Sequence, residues 1–94
     1  VSAFAFGLES CSSSPYACIN VEGNDTVHVH QPVTIDAYCS THVEQYNWEI
    51  NNDSVFFTPR ITLTFSTTGE QDIFLLVTNG SKTSGTTKKL MIYP

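Results

Sequence analysis

Histidines and aspartates are the residues of this 94-residue chain whose types and positions are suited to metal binding. His28 and His30 alternate with valines along a predicted strand, so they would share one face and could bind a metal ion with His42. The aspartates that offer oxygen ligands for calcium are Asp25, Asp53 and Asp72. Because their spacing matches no compact calcium-binding loop, and because the histidines also fit a solvated strand face, we expect no metal site.

Nucleophilic catalysis is the other chemistry that these residue types suggest. Cys11 and the serines at 12–14 lie together, but they lack the Gly-x-Ser-x-Gly frame of a nucleophile elbow. No nucleophile is paired with a base, and no pair of acidic residues occupies a recognisable catalytic frame. We therefore expect a protein that is not an enzyme and that requires no cofactor.

The charge balance limits the classes of partner. Four Lys and Arg residues against nine Asp and Glu residues give a net charge of -5, which argues against nucleic acid and anionic membrane surfaces. No segment approaches the length of a membrane span. The length predicts one domain with one hydrophobic core.

The cysteines and glycosylation sequons point to one cellular setting. Three cysteines occur in a chain rich in Ser, Thr and Asn. Three N-x-S/T sequons fall at predicted turns, and their asparagines are Asn24, Asn52 and Asn79. Together these features predict an extracellular or cell-surface protein, with at least one sequon glycosylated if the host is a eukaryote.

The hydrophobic pattern predicts strands and no helix. Apolar residues alternate with polar ones, and turn residues recur about every 8–12 positions. We therefore predict an all-β, immunoglobulin-like β-sandwich of about seven short antiparallel strands at residues 18–94, preceded by an N-terminal segment at residues 1–17. Trp48 is predicted to lie at the centre of the core. The other predicted core residues are Ile35, Ala37, Tyr46, Leu63, Phe65, Ile73, Leu75 and Val77. Further predicted strands are residues 26–30, 33–39 and 88–93, with residues 79–85 as a polar loop.

Three segments of the chain correspond to the patterns of a known repeat. The pattern V-x-F-x-A-x-x-S corresponds to residues 33–40, Y-x-W-D-F-G-D-G to residues 46–53, and H-x-Y-x-x-x-G-x-Y-x-V-x-L-x-V-x-N to residues 63–65 and 69–79. Through these segments, residues 32–93 resemble a PKD domain, the immunoglobulin-like repeat of the polycystic kidney disease protein. The departures from the family pattern are Glu49, Ile50, Asn51 and Gln71. A generic immunoglobulin or fibronectin-type sandwich is the alternative, although the second cysteine of antibody domains is missing.

The resemblance implies a module that displays a surface and performs no chemistry. We expect a non-catalytic adhesion or receptor ectodomain module that contacts another protein or an adjacent domain of the same chain, with homotypic contact as one form. PKD-like domains of this kind occur in polycystins, sortilin-family receptors and melanosomal matrix proteins. The alternative is an accessory or spacer domain of a secreted hydrolase or surface-layer protein, as in bacterial proteases and chitinases.

Strand order predicts one disulfide. If the first strand pairs antiparallel with residues 33–39, its start at Cys18 lies near the end of the second strand at Cys39. We therefore predict a Cys18–Cys39 bridge. A Cys11–Cys18 ring and a Cys11–Cys39 bridge remain alternatives at this point, and the odd count leaves one thiol over.

Alternation along the last two predicted strands places apolar residues on the outer side of the sandwich. If Ile73, Leu75 and Val77 point inward, the outward set is Phe74, Leu76, Met91 and Tyr93. Soluble monomers tend to avoid an apolar patch of this kind, so we predict that a partner or an adjacent domain covers it. Phe4 and Phe6 folding back onto the patch is the alternative.

Overall fold

The computed structural model describes residues 14–23, 26–52 and 54–94, and the chain is all-β throughout them. Eight strands are present among these residues: β1 (Asn20–Val21), β2 (Val27–His28), β3 (Pro32–Asp36), β4 (Gln45–Ile50), β5 (Ser54–Phe56), β6 (Arg60–Thr64), β7 (Gly69–Asn79) and β8 (Lys82–Tyr93). The expectations about Phe4, Phe6, Cys11 and the serines at 12–14 concern residues outside these ranges.

The strands form two sheets packed as a sandwich. One sheet has the order β1-β3-β6, and the other has the order β2-β8-β7-β4-β5. Among the described strands, all pairs are antiparallel except β2 with β8, where Val27 pairs with Ile92 in parallel. The prediction of antiparallel strands is therefore corrected at this pair. The two strands come from distant parts of the chain, so the parallel pair needs no local crossover helix.

The core lies between the sheets and is centred on Trp48, as predicted. Trp48 has no exposed surface, and its Nε1–H donates a hydrogen bond to the Thr58 carbonyl oxygen at 2.7 Å. Of the other eight predicted core residues, six are buried, while Tyr46 and Leu63 are partly buried and pack against the core. The further buried hydrophobic residues are Ala17, Val27, Val33, Ile50, Ile61, Leu90 and Ile92.

Two predicted strands end earlier than expected. β3 stops at Asp36 rather than at residue 39, because Asp36 Oδ1 accepts the Tyr38 N–H at 3.1 Å and turns the backbone out of the extended form. The strand predicted at residues 26–30 is confined to Val27 and His28, and His30 has a φ of 63°. The two histidines therefore do not share a strand face.

The hairpin formed by β7 and β8 is longer than predicted. Residues 82–85 belong to β8, so the predicted polar loop at residues 79–85 is wrong. The reversal needs only two residues, Gly80 and Ser81, between the paired Asn79 and Lys82. Gly80 adopts a φ of 64°, which glycine tolerates without steric strain.

A side-chain hydrogen-bond cluster fastens the β4–β5 turn to β7. Asn51 has a φ of 54°, a conformation that asparagine tolerates. Its Nδ2 donates to Oε1 of Gln71, which is buried, and its Oδ1 accepts the Asp72 N–H at 2.8 Å. Asn51 and Gln71 are both departures from the PKD pattern, and the structure joins them to each other.

Asn51→Gly should lower the free energy of unfolding by about 1–3 kcal/mol, because the change leaves buried Gln71 without its donor while keeping the turn conformation accessible. Urea unfolding measures the loss. Asn52→Gly is the matched control: Asn52 also has a positive φ, of 62°, but is exposed. An equal effect at both positions would contradict the role given to the hydrogen bonds.

The described N-terminal residues belong to the sandwich. Ala17 is 5% exposed within the core, Pro15 is buried, and Tyr16 bridges to Thr41. The packed domain thus includes residues that the predicted boundary at residue 18 assigned to the N-terminal segment. Pro15 and Ala17 have small side chains and lie outside any recognised strand pattern, so nothing in the sequence indicated that they pack in the sandwich.

The predicted disulfide is present between Cys18 and Cys39. Their Cα atoms are 5.5 Å apart, and they lie just outside the antiparallel β1–β3 pair. Ser40 strengthens the junction, since its Oγ accepts the Cys18 N–H and donates to the Cys18 carbonyl. The bridge therefore joins the segment before β1 to the loop after β3.

Candidate functional site

The outer face of the five-stranded sheet carries the residues predicted as an interface. Ile73, Leu75 and Val77 have no exposed surface, whereas Phe74 and Leu76 between them are half-buried on the opposite side. The predicted facing of β7 is therefore correct.

The register divides the predicted patch into two parts. Met91 pairs with Glu70, four pairs along the hairpin from the Phe74–Thr87 pair. Lys89 lies between the two parts, with Nζ 3.0 Å from an Asp72 carboxylate oxygen and 3.7 Å from one of Glu70. The four residues do not form one continuous surface, because a charged cluster separates Phe74 and Leu76 from Met91 and Tyr93.

The first part, Phe74 and Leu76, borders a hollow near the start of β4 and the end of β7. Its volume is about 380 Å³, and Asn47, Phe57 and Leu76 contribute to its lining. Phe57 is 70% exposed. Sequence reasoning missed this residue, although the signal was available: two consecutive phenylalanines in an extended segment place one ring on each face.

The Phe74 ring lies over Gly85 of the neighbouring strand β8. A Cβ atom built on Gly85 would come within 3.0 Å of both Cε1 and Cζ of the Phe74 ring. A larger residue at position 85 would therefore push the ring away by a few tenths of an ångström, whereas glycine lets the ring lie against the backbone of β8.

Asn47 has an unsatisfied oxygen beside the hollow. It pairs with Leu76 in the β4–β7 register. Asn47 Oδ1 is enclosed, and it accepts no hydrogen bond in the part of the chain that the structure describes. An acceptor left in this state destabilises a fold by about 1–3 kcal/mol.

The charges near the hollow are acidic. Glu49 pairs with Phe74 in the sheet, and Glu44 lines the hollow and accepts the Gly80 N–H through Oε1. None of the described residues that line the hollow is basic. The two carboxylates therefore disfavour anions at this surface.

Two basic residues are engaged away from the hollow. Arg60 donates to both carboxylate oxygens of Glu22, at 2.9 and 3.0 Å, and this hydrogen bonding holds the pKa of Glu22 below its ordinary value. The hydrogen bond to Asp72 raises the pKa of Lys89. Both pairs are exposed and fix local geometry more than they stabilise the fold.

The second part of the predicted patch, here called the C-terminal patch, consists of Met91 and Tyr93. Each is 46% exposed. The His28 ring lies beside Tyr93, with ring centroids 6.1 Å apart, and its Nδ1 is 3.0 Å from the Pro94 carbonyl oxygen. Tyr93 pairs with His28 across β8 and β2, so the patch lies where these two strands meet.

The remaining candidate residues are dispersed. Within residues 14–23, 26–52 and 54–94, no three His, Cys, Asp or Glu side chains form a group able to hold a metal ion. Asp25 and Asp53 lie outside those ranges. No helix in the described chain is long and apolar enough to cross a membrane.

The sequon asparagines differ in accessibility. Asn52 is exposed at the tip of the β4–β5 turn, whereas Asn79 is half-buried at the end of β7. Asn24 lies outside the described residues. Of the two that are described, Asn52 offers the more accessible amide, and glycosylation at all three remains a prediction.

Comparison with known proteins identifies the fold. No family model and no curated protein sequence matches the chain. The PKD1 domain of Vibrio anguillarum Epp superposes with a TM-score of 0.68 at 18% identity, covering 87% of this chain and 96% of that one. The PKD1 domain of the Vibrio cholerae metalloprotease PrtV gives a TM-score of 0.67 at 13% identity, covering 87% and 100%.

A third structure is larger than this chain. It contains carbohydrate-binding modules of the β-sandwich superfamily, and it superposes with a TM-score of 0.78 at 18% identity over 87% of this chain. The chain spans 35% of its length. The three similarities show an immunoglobulin-like β-sandwich fold, as the sequence predicted, and two of the three structures are PKD domains.

Proposed function

We propose that this domain is a non-catalytic extracellular module that mediates protein–protein contact, as adhesion and receptor ectodomains do. The observation that carries the proposal is the C-terminal patch, where Met91 and Tyr93 are exposed side by side on the outer face. The partner is another protein or an adjacent domain of the same chain, and a second copy of the chain is one form of it.

The residue types of the C-terminal patch suit a protein partner. Methionine adapts its flexible side chain to irregular surfaces, and tyrosine provides a large apolar area with a polar end. Both are enriched at protein interfaces. His28 and the exposed end of β8 would form the polar rim, so a partner could bury the two apolar side chains without leaving charges unpaired.

The extracellular setting is supported by the Cys18–Cys39 disulfide, because disulfides persist mainly in oxidising compartments. The acidic net charge of -5 supports a partner other than nucleic acid.

An accessory or spacer domain of a secreted hydrolase is the second candidate. The observation that favours it is the similarity to the PKD1 domain of a metalloprotease. In that case the C-terminal patch would dock on a neighbouring domain of the same chain.

Site-specific photocrosslinking in the full-length parent protein, produced in its own host, tests the proposal. With benzoylphenylalanine in place of Met91, we expect an adduct with another protein or another domain. The same probe in place of Tyr38, which is 64% exposed in the loop after β3, is the matched control. Equal adducts at both positions, or none at position 91, would refute the proposed contact. An adduct with a catalytic domain of the same chain would select the second candidate.

A further inference from the structure

One side of β8 is only partly covered by another strand. Among the described strands, β2 lies beside β8 only at Ile92 and Tyr93, so no strand lies beside residues 83–89. This uncovered stretch is longer than any of the four strands at the sheet edges, of which β6 with five residues is the longest. Residues 83–89, here called the open edge, are therefore the longest unpaired stretch of strand in the described part of the chain.

The β7–β8 register determines which backbone groups point to the open edge. Asn79 and Lys82 close the two-residue turn as a hydrogen-bonded pair, and the direction of the backbone groups alternates from each residue to the next. The Tyr93 carbonyl oxygen accepts the Val29 N–H and so fixes the same alternation at the far end of β8. The residues whose N–H and C=O groups point away from β7 are Thr83, Gly85, Thr87 and Lys89.

These backbone groups match another polypeptide strand. They span about 20 Å, and an extended peptide presents its donors and acceptors at the same two-residue spacing. Residues 83–87 contain no charge and no proline that would prevent pairing, and three of the five are threonines, which favour extended backbone. The open edge can therefore accept one further strand.

The charges on β8 favour an acidic strand. β8 carries three of the four Lys and Arg residues of this acidic chain and no Asp or Glu. Lys88 pairs with the buried Ile73 and is itself half-buried, so it points inward, and no described residue forms an ion pair with it. A second copy of β8 would bring lysines together, whereas an acidic residue on an incoming strand would pair with Lys88.

Gly85 provides a second point of recognition. The Phe74 ring of β7 lies over Gly85, so the ring reaches across β8 toward the open edge. A side chain opposite Gly85 on an incoming strand would lie on the same outer face as this ring. An apolar side chain at that position would therefore pack against Phe74.

We propose that the open edge of β8 binds an extended acidic segment of another protein as an additional strand. The strand lies antiparallel to β8, the more stable arrangement for each residue paired. Its register is fixed by an acidic residue opposite Lys88 and an apolar residue opposite Gly85. The site goes beyond the contact proposed above and uses no side chain of the C-terminal patch.

Amide chemical-shift mapping of the isotope-labelled 94-residue protein tests the open edge. The probe is the capped peptide Thr-Glu-Thr-Val-Leu-Thr-Thr, which places Glu opposite Lys88 and Leu opposite Gly85. We expect saturable shifts and slower hydrogen exchange at the amides of Thr83, Gly85 and Thr87. Lys88→Glu should weaken binding by about tenfold, because an attractive cross-strand pair becomes a repulsive one. The same peptide with Lys in place of Glu should bind Lys88→Glu and bind the unsubstituted protein poorly, which also shows that the variant is folded.

N-methylated peptides test the backbone pairing without changing the protein. A methyl group on the nitrogen of the third peptide residue removes the donor to the Thr87 carbonyl and should abolish binding. A methyl group on the nitrogen of the fourth residue, which points away from β8, is the matched control and should leave binding in place.

Four results would overturn the proposal: no saturable shifts at the open edge, equal binding by the two N-methylated peptides, equal binding of the Glu and Lys peptides to the unsubstituted protein, or slow exchange of the edge amides before any peptide is added. In the last case sedimentation identifies the occupant, because a second copy gives a dimer that grows with concentration whereas pairing within one chain leaves a monomer. Photocrosslinking at Met91 does not depend on these peptides, so either proposal can fail without the other.

Discussion

Trp48→Ala should lower the free energy of unfolding by about 3–5 kcal/mol. The side chain has no exposed surface and is the largest in the core, so its removal leaves a cavity between the two sheets. The change also removes the donor to the Thr58 carbonyl. A domain of ordinary stability has about 5–15 kcal/mol in total, so the variant should be largely unfolded or close to it.

Far-UV circular dichroism during urea unfolding is the suitable measurement, because Trp48 is the only tryptophan and its fluorescence disappears with it. Trp48→Phe should retain most of the packing and lose the hydrogen bond, with an intermediate effect. The free energy of unfolding of Tyr38→Ala should stay within about 0.5 kcal/mol of that of the unsubstituted protein, as expected for an exposed position. A loss at Trp48 no larger than that at Tyr38 would show that the tryptophan does not organise the core.

Removing the Cys18–Cys39 bridge should lower the free energy of unfolding by about 3 kcal/mol on the chain-entropy estimate. The bridge joins residues 21 positions apart, and its loss frees that loop in the unfolded chain. Replacing both cysteines with alanine and following thermal unfolding measures the effect.

Cys11→Ala is the control for the disulfide and should leave stability unchanged, since the pairing involves the other two cysteines. Peptide mapping without reduction gives an independent check and should yield a linked Cys18–Cys39 peptide. A linked Cys11–Cys18 peptide would contradict both the pairing and the stability expectation.

Alternation along single strands was readable from the sequence. Trp48, Ile73, Leu75 and Val77 lie inward as predicted, because successive side chains of an extended strand point to opposite faces whatever the neighbouring strand is. The disulfide followed from the same local information, since antiparallel pairing of two adjacent strands brings the start of one to the end of the other.

The alternation failed where polar residues occupy inward positions near a sheet edge. Ser84, Thr86 and Lys88 on β8 are only half-buried, so the start of this strand reads as a polar loop. The core there is completed by β7, whose Val77 and Leu75 pair with Ser84 and Thr86.

Only the tertiary structure decided which outward residues are neighbours. The sequence placed Phe74, Leu76, Met91 and Tyr93 on one face, but the two-residue turn after Asn79 sets a register in which Met91 pairs with Glu70 and Leu76 with Gly85. That register separates the C-terminal patch from the hollow. The separate β4–β5 register, in which Trp48 pairs with Phe56, brings Phe57 next to Asn47. Face is a property of one strand, whereas register depends on turn length and on pairing between distant segments, which no local pattern encodes.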